Sequence, residues 1–152
     1  MAVDQFIKIG AIKDESQDHK HKDWIDVLAW SWGESQSGTF HQGGGGGAGK
    51  VNVQDLSFTA FVGKATPDLL MNCSNGKHIP DATLVVGKAG EERLEYITIK
   101  MEKCMVTSVS LGGSGGEDRL TYNCTLNFAK VSFKYVEQKP EGGKGVEPEY
   151  KW

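Results

Sequence analysis

With 152 residues, 38% of them apolar and 24% charged, the chain has the size of one domain around one core. A formal net charge of −3, with both signs interspersed, lacks the basic patch or stripe of a nucleic-acid binder. No apolar run reaches the length that crosses a bilayer, and Met1 to Gln5 carries an acid and no extended apolar segment, so neither membrane insertion nor an N-terminal secretory signal is expected.

Phe6 to Ile9 reads as a short apolar strand, and Lys13 to Lys22 as a charged, solvated loop. From Trp24 to Trp32 the pattern alternates: Trp24, Leu28, Trp30 and Trp32 share one face with Asp26, and Ile25, Val27, Ala29 and Ser31 share the other. This predicts a strand with its tryptophans toward the core and Ala29 and Ser31 on a second surface. Gly33 to Lys50 is then a long loop containing five consecutive glycines, Gly43 to Gly47. So long a connection inside a small domain is usually functional or disordered, and this one reads as an arm held out between two anchored strands.

After the arm, Val51 and Val53 share one parity and Leu56 and Phe58 the other, which predicts a bend near Asp55. A similar flip separates Leu94 and Tyr96 from Ile97, Ile99 and Met101. A helix is expected between, with Thr66 as cap, Pro67 at its first position, Asp68 at its positive end, Gly76 at its stop, and Leu69, Leu70 and Cys73 as its apolar stripe. Strands follow at about Ala82 to Gly87, Arg93 to Lys103 and Val106 to Leu111, then a second glycine loop, Gly112 to Gly116. Leu120, Tyr122, Cys124, Leu126 and Phe128 alternate with polar residues, and Val131, Phe133 and Tyr135 continue the strand after another flip. Glu137 to Trp152 is charged and rich in Gly and Pro, an extended tail of residues 137–152 after a domain of residues 1–136. The fold class is mainly β, a small barrel or sandwich of two packed antiparallel sheets with one short flanking helix.

Catalytic and metal motifs fail on inspection. Gly44-x-x-x-x-Gly49-Lys50 imitates a P-loop, but Val51 stands where Ser or Thr must hold the metal, and a strand follows rather than a helix. His19-x-His21 has no further ligand at metal spacing, and no Gly-x-Ser-x-Gly elbow occurs. Cys73, Cys104 and Cys124 are odd in number and widely spaced, as expected of reduced, mostly buried thiols. No catalytic residue, metal or cofactor is expected. Glu117-Asp118-Arg119 reads as a charged turn, with Arg119 paired to an acid of its own or a neighbouring subunit. The tryptophans with Tyr96, Tyr122 and Tyr135 leave one alternative open, a carbohydrate-binding β-sandwich, although at strand parity such residues are more often core or contact residues.

Trp30-Ser31-Trp32-Gly33, the glycine run ending Ala48-Gly49-Lys50, Val53-Gln54-Asp55, Ser74-x-Gly76-Lys77-His78 and Gly112 to Thr121 together resemble the haemolysin co-regulated protein (Hcp) family, from Phe6 to about Tyr135. The resemblance implies a barrel-like domain forming a hexameric ring. Rings would stack into the inner tube of the type VI secretion system, tipped by a spike protein and driven out by a contractile sheath on its baseplate. The tube would carry small effectors in its lumen. The protein would be assembled in the bacterial cytoplasm, then secreted, and would be structural rather than an enzyme. Ser31 matches the lumen and effector contact. Gly33, Gly43, Gly44, Gly45, Gly46, Gly47, Lys50, Glu117, Asp118 and Arg119 would serve ring stacking or intersubunit contact.

Overall fold

The structure, a computed structural model, describes residues 3–38, 40, 41, 46, 47, 49–89, 94–140 and 142–152. Its elements in order are β1 Val3–Ile9, β2 Ile25–Ser31, β3 Glu34–Ser35, β4 Asn52–Val53, β5 Leu56–Phe61, α1 Ala65–Asn75, β6 Ile79–Lys88, β7 Glu95–Gly112, β8 Thr121–Tyr135 and β9 Glu149–Lys151. The main sheet runs β5-β2-β1-β6-β7-β8-β9, and β5 also pairs with β8. Six strands therefore close into an antiparallel barrel, with β9 added outside the closure. The two expected layers are opposite walls of one sheet, and β3 and β4 form a separate pair.

Strand alternation fills the interior. On β5 the buried Leu56, Phe58 and Ala60 stand opposite the buried Leu126, Cys124 and Tyr122 of β8. Ile7 and Ile9 of β1, Leu84 of β6, and Ile99 and Met101 of β7 join the same core, each fully buried. Burial of this kind contributes about 1.5–3 kcal/mol per large aliphatic or aromatic side chain.

The parity flips have physical causes at the bulges. Val86 faces Ile97 but Gly87 faces Glu95, so Tyr96 is the extra residue that resets β7. Farther along, Met101 opposes Val131 and Cys104 opposes Phe128, all four buried although only two residues lie between them on each strand, a spacing that in a regular strand puts them on opposite faces. Lys103, with φ of 55°, takes the left-handed conformation between them, and both strands change face together at a barrel corner. Near Asp55 the flip is a change of sheet, from β4 to β5.

Strand β2 departs from its simple alternation. Ile25 and Val27 are buried and Leu28 is 44% exposed, because a bulge between Val27 and Ala29 puts the start of β2 in the opposite phase to its end. Trp30 and Trp32 do pack against the core as expected, whereas Trp24 lies against His21 outside it. Gln5 holds the bulge: its amide donates to the carbonyls of Val27 and Leu28, and its oxygen accepts from Trp30 Nε1 at 2.8 Å.

The helix begins one residue before Thr66, and its cap comes from elsewhere. Asp14 accepts from the Ala65 N–H and Glu15 from the Lys64 N–H, two otherwise orphaned donors satisfied by a distant loop. Thr66 instead accepts from the Gly63 N–H through its hydroxyl. Leu69 and Cys73 pack on the barrel, while Leu70 is 40% exposed, so the expected stripe is narrower. Gly76, at φ 64°, ends the helix and bonds back to Asn72.

Two segments expected to be solvated or extended are structured. His21 is 4% exposed, stacked on Phe6 at 4.6 Å, with its ring nitrogens 2.7 Å from Asp18 and from Glu95. The charged loop thus covers the outer side of β1. The region after Tyr135 is tied to the barrel: β9 pairs with β8 through Phe133 and Tyr150, and Trp152 exchanges two backbone bonds with Val131. Leu120, expected to be buried with Tyr122, is 48% exposed.

Candidate functional site: a hydroxyl-lined wall and a projecting arm

Register determines which outward residues share a surface. Ser31 on β2 stands opposite Ser57 on β5, Ser57 opposite Thr125 on β8, and Thr125 opposite Ser108 on β7. The next row is Ala29, Thr59, Asn123 and Ser110. Eight positions across four strands thus carry small side chains, none ionisable. Asn123 donates to Ser57 Oγ at 3.2 Å and Thr59 Oγ1 at 3.3 Å, and the Ser108 and Thr125 hydroxyls meet at 2.6 Å. The opposite wall differs: its outward row runs Lys8, Thr83, Lys100, Ser132 and Lys151. One barrel therefore presents a neutral hydroxyl wall on one side and a charged wall on the other. Ser31 is exposed on the neutral wall, where the alternation predicted a second surface.

The arm leaves from the edge of that wall. Its base is the β3–β4 pair, Glu34 opposite Val53 and Ser35 opposite Asn52. Gln54 N–H donates to the Gly33 carbonyl, and Trp32 Nε1 donates to the Gln54 carbonyl at 2.9 Å. Tyr150 of β9 braces the base through its hydroxyl, which donates to Glu34 at 2.9 Å. Farther out, the Gly49 N–H donates to the Ser37 carbonyl, and Phe40 is 79% exposed. Gly46, Gly47 and Lys50 belong to the described part of the arm, and Gly43, Gly44 and Gly45 lie outside the described residues. Phe40 was not singled out from the sequence. A large apolar side chain amid Gly, Ser and Thr was the available signal.

Glu117, Asp118 and Arg119 form an exposed turn, and the arginine rests 3.9 Å over the Phe61 ring. Beside it a recess of about 390 Å³ is lined by Asp14, Glu15, Asp26 and Lys64. Burial raises the Asp26 carboxyl above the usual carboxylate range, opposed by the Ser16 hydroxyl and by the charge of Arg119. Burial likewise raises Asp14, opposed by the Ala65 N–H it caps. Within the chain, then, Arg119 is placed by an aromatic ring, with an acid in electrostatic reach. The sequence elements grouped as one contact set separate here: the arm and the 117–119 turn lie at opposite ends of β5, which runs from beside β4 to Phe61.

Among the described residues, no three His, Cys, Asp or Glu side chains gather as a metal site. Burial pushes the Cys104 thiol up to about 11 and the Cys124 thiol up to about 12, the opposite of an activated nucleophile. Of the aromatic residues weighed for a sugar-binding face, Trp30 and Trp32 pack on the core and Tyr122 is 2% exposed, while Tyr135 is exposed and meets Tyr96 edge-on at 6.5 Å. Among the described residues no helix is long and apolar enough to cross a membrane.

The family model described as type VI secretion system effector, Hcp, matches residues 6–135, and the chain belongs to this Hcp family of type VI secretion tube proteins. Among its relatives, the curated protein hcp1 of Pseudomonas aeruginosa is 61% identical over all of this chain and 95% of its own length. A solved structure of a type six secretion system protein superposes with a TM-score of 0.92 at 28% identity, covering 99% of this chain and 95% of the other. Hcp1 from Salmonella typhimurium gives 0.78 at 36% identity, covering 99% and 94%. The carbohydrate-binding alternative finds no support in these likenesses.

Proposed function

We propose that six copies of this chain close into a ring with the hydroxyl wall turned inward, and that the rings stack into a secretion tube. The observation that carries this reading is the two neutral rows across β2, β5, β8 and β7, set against the lysine-bearing wall opposite. A lumen that passes varied small effectors needs hydroxyls that donate or accept as required, and fixed charges would bind some clients and repel others. Ring closure joins two different surfaces of each subunit, a heterologous contact that closes when the rotation does. Glu117, Asp118 and Arg119 serve intersubunit contact. The arm, with Gly33, Gly43 to Gly47 and Lys50, reaches the adjoining ring, and exposed Phe40 is its apolar contact.

The protein acts mechanically, without catalysis. It assembles in the bacterial cytoplasm, works with the spike protein, contractile sheath and baseplate, and leaves the cell in the expelled tube. Ordering a glycine run costs more backbone entropy than ordering other residues, so arm-mediated stacking is weak between free rings and strong inside a sheath.

Substituting Ser31→Arg tests the inward wall. The side chain is exposed, so the ring forms as before, while six bulky cations narrow the passage and co-purification of effectors falls roughly tenfold, the effect of about 1.4 kcal/mol on client binding. Loss of the ring itself, measured by mass in solution, counts against the assignment.

A further inference from the structure

The sequence motif Val53-Gln54-Asp55 is only partly explained by the arm, because Asp55 faces away from it. Asp55 directly precedes β5 and has the outward parity of Ser57 and Thr59. Thr107 Oγ1 donates to Asp55 Oδ2 at 2.8 Å, and Asn127 Nδ2 donates to Oδ1 at 2.8 Å. The Thr107 hydroxyl also lies 2.7 Å from that of Thr125, which ties Asp55 into the neutral rows. Each carboxylate oxygen thus receives one donor and keeps acceptor capacity, and the residue remains half-buried rather than closed off. Its direction is fixed from two strands, so little rotamer freedom remains to be lost when a partner arrives.

Resting on the reading of this wall as the cargo-facing surface, we propose that Asp55 is its charge-reading contact, accepting a lysine or arginine of a small cargo protein. The neutral rows tolerate many surfaces. Asp55 sets an orientation and a sign: a basic patch gains a charge-assisted bond at the end of the wall, and an acidic one is disfavoured. The bulge between Val106 and Ser108 brings Thr107 to the carboxylate, so the wall is built to hold this acid in place.

The test uses intact rings, with cytochrome c, a small lysine-rich protein, and its lysine-acetylated form as probes. Asp55→Asn keeps the shape, and the Thr107 hydroxyl can turn from donor to acceptor, so the fold is retained. At low salt the native probe binds more tightly than the acetylated one. Asp55→Asn weakens the native probe by roughly two- to fivefold, the scale of an exposed ion pair, and leaves the acetylated probe unchanged. Equal binding of both probes, no binding of either, or no effect of Asp55→Asn on the native probe overturns the proposal. A neutral obstruction, Ser31→Gln, separates the two readings. If it weakens both probes while Asp55→Asn does nothing, the wall stands and the role of Asp55 falls. If it changes neither probe, the wall reading itself has failed.

Discussion

Phe58→Ala lowers the stability of the folded subunit by about 3–5 kcal/mol, the range for emptying a fully buried aromatic site. Phe58 is 0% exposed, sits in edge contact with Tyr122 at 6.1 Å, and lies on the strand that pairs with β2 on one side and β8 on the other. A void there loosens the seam that closes the barrel, and neighbours on a closed sheet cannot collapse far to fill it. Against a total stability of about 5–15 kcal/mol for an ordinary domain, the loss is large. Urea unfolding of the variant beside Val62→Ala, whose side chain is 39% exposed, checks this. The Val62 change shifts stability by only about 0.5 kcal/mol. A Phe58 variant that loses less than about 1 kcal/mol would mean that the core is not packed as described.

Removing residues 36–51 and joining the β3 and β4 strands by an Asn-Gly turn abolishes ring stacking and leaves the ring and its stability intact. The two-residue turn suits a hairpin of this hand, and the β3–β4 pair, the Trp32 bond to Gln54 and the Tyr150 bond to Glu34 all lie outside the excised segment. Among the described residues, none between Gln36 and Val51 belongs to the barrel core or packs against it, so the excision is expected to spare the subunit fold. Sedimentation in crowded buffer, with and without the excision, measures the effect. Long stacks formed by the shortened protein would contradict the arm's role.

The elements themselves were legible because period-2 alternation survives wherever a strand has one wet face. Tyr122, Cys124 and Leu126 read correctly against Asn123 and Thr125 for that reason. The bulge in β2 was not legible, because its evidence is an extra residue, Leu28, which looks like an ordinary apolar member of the pattern. Paired evidence made other shifts readable: Tyr96 against Ile97, and Phe128 against Val131, break parity between large apolar residues on both sides. The helix cap was misplaced because its ligands, Asp14 and Glu15, lie about fifty positions away, and local rules favour the nearest hydroxyl, Thr66. His21 hides by the same logic: its stacking on Phe6 and its contact with Glu95 join three segments that sequence keeps apart.

For the candidate site, the exposed placement of Ser31 followed from alternation, and its assignment to a lumen came from resemblance. The rows that make it part of a wall required the registers of four strands, which no composition encodes. Asp55 had a motif but no visible partners, since Thr107 and Asn127 reach it only through the closure of β5 on β8 and the bulge in β7.

The most direct test of the account is electron microscopy of the purified protein, with its mass measured in solution on the same sample. Six-membered rings with an open centre, and a mass of six copies, are the predicted result. A monomer that persists at high concentration, with no ring in any field, would contradict the assembly at the centre of this reading while leaving the barrel as described.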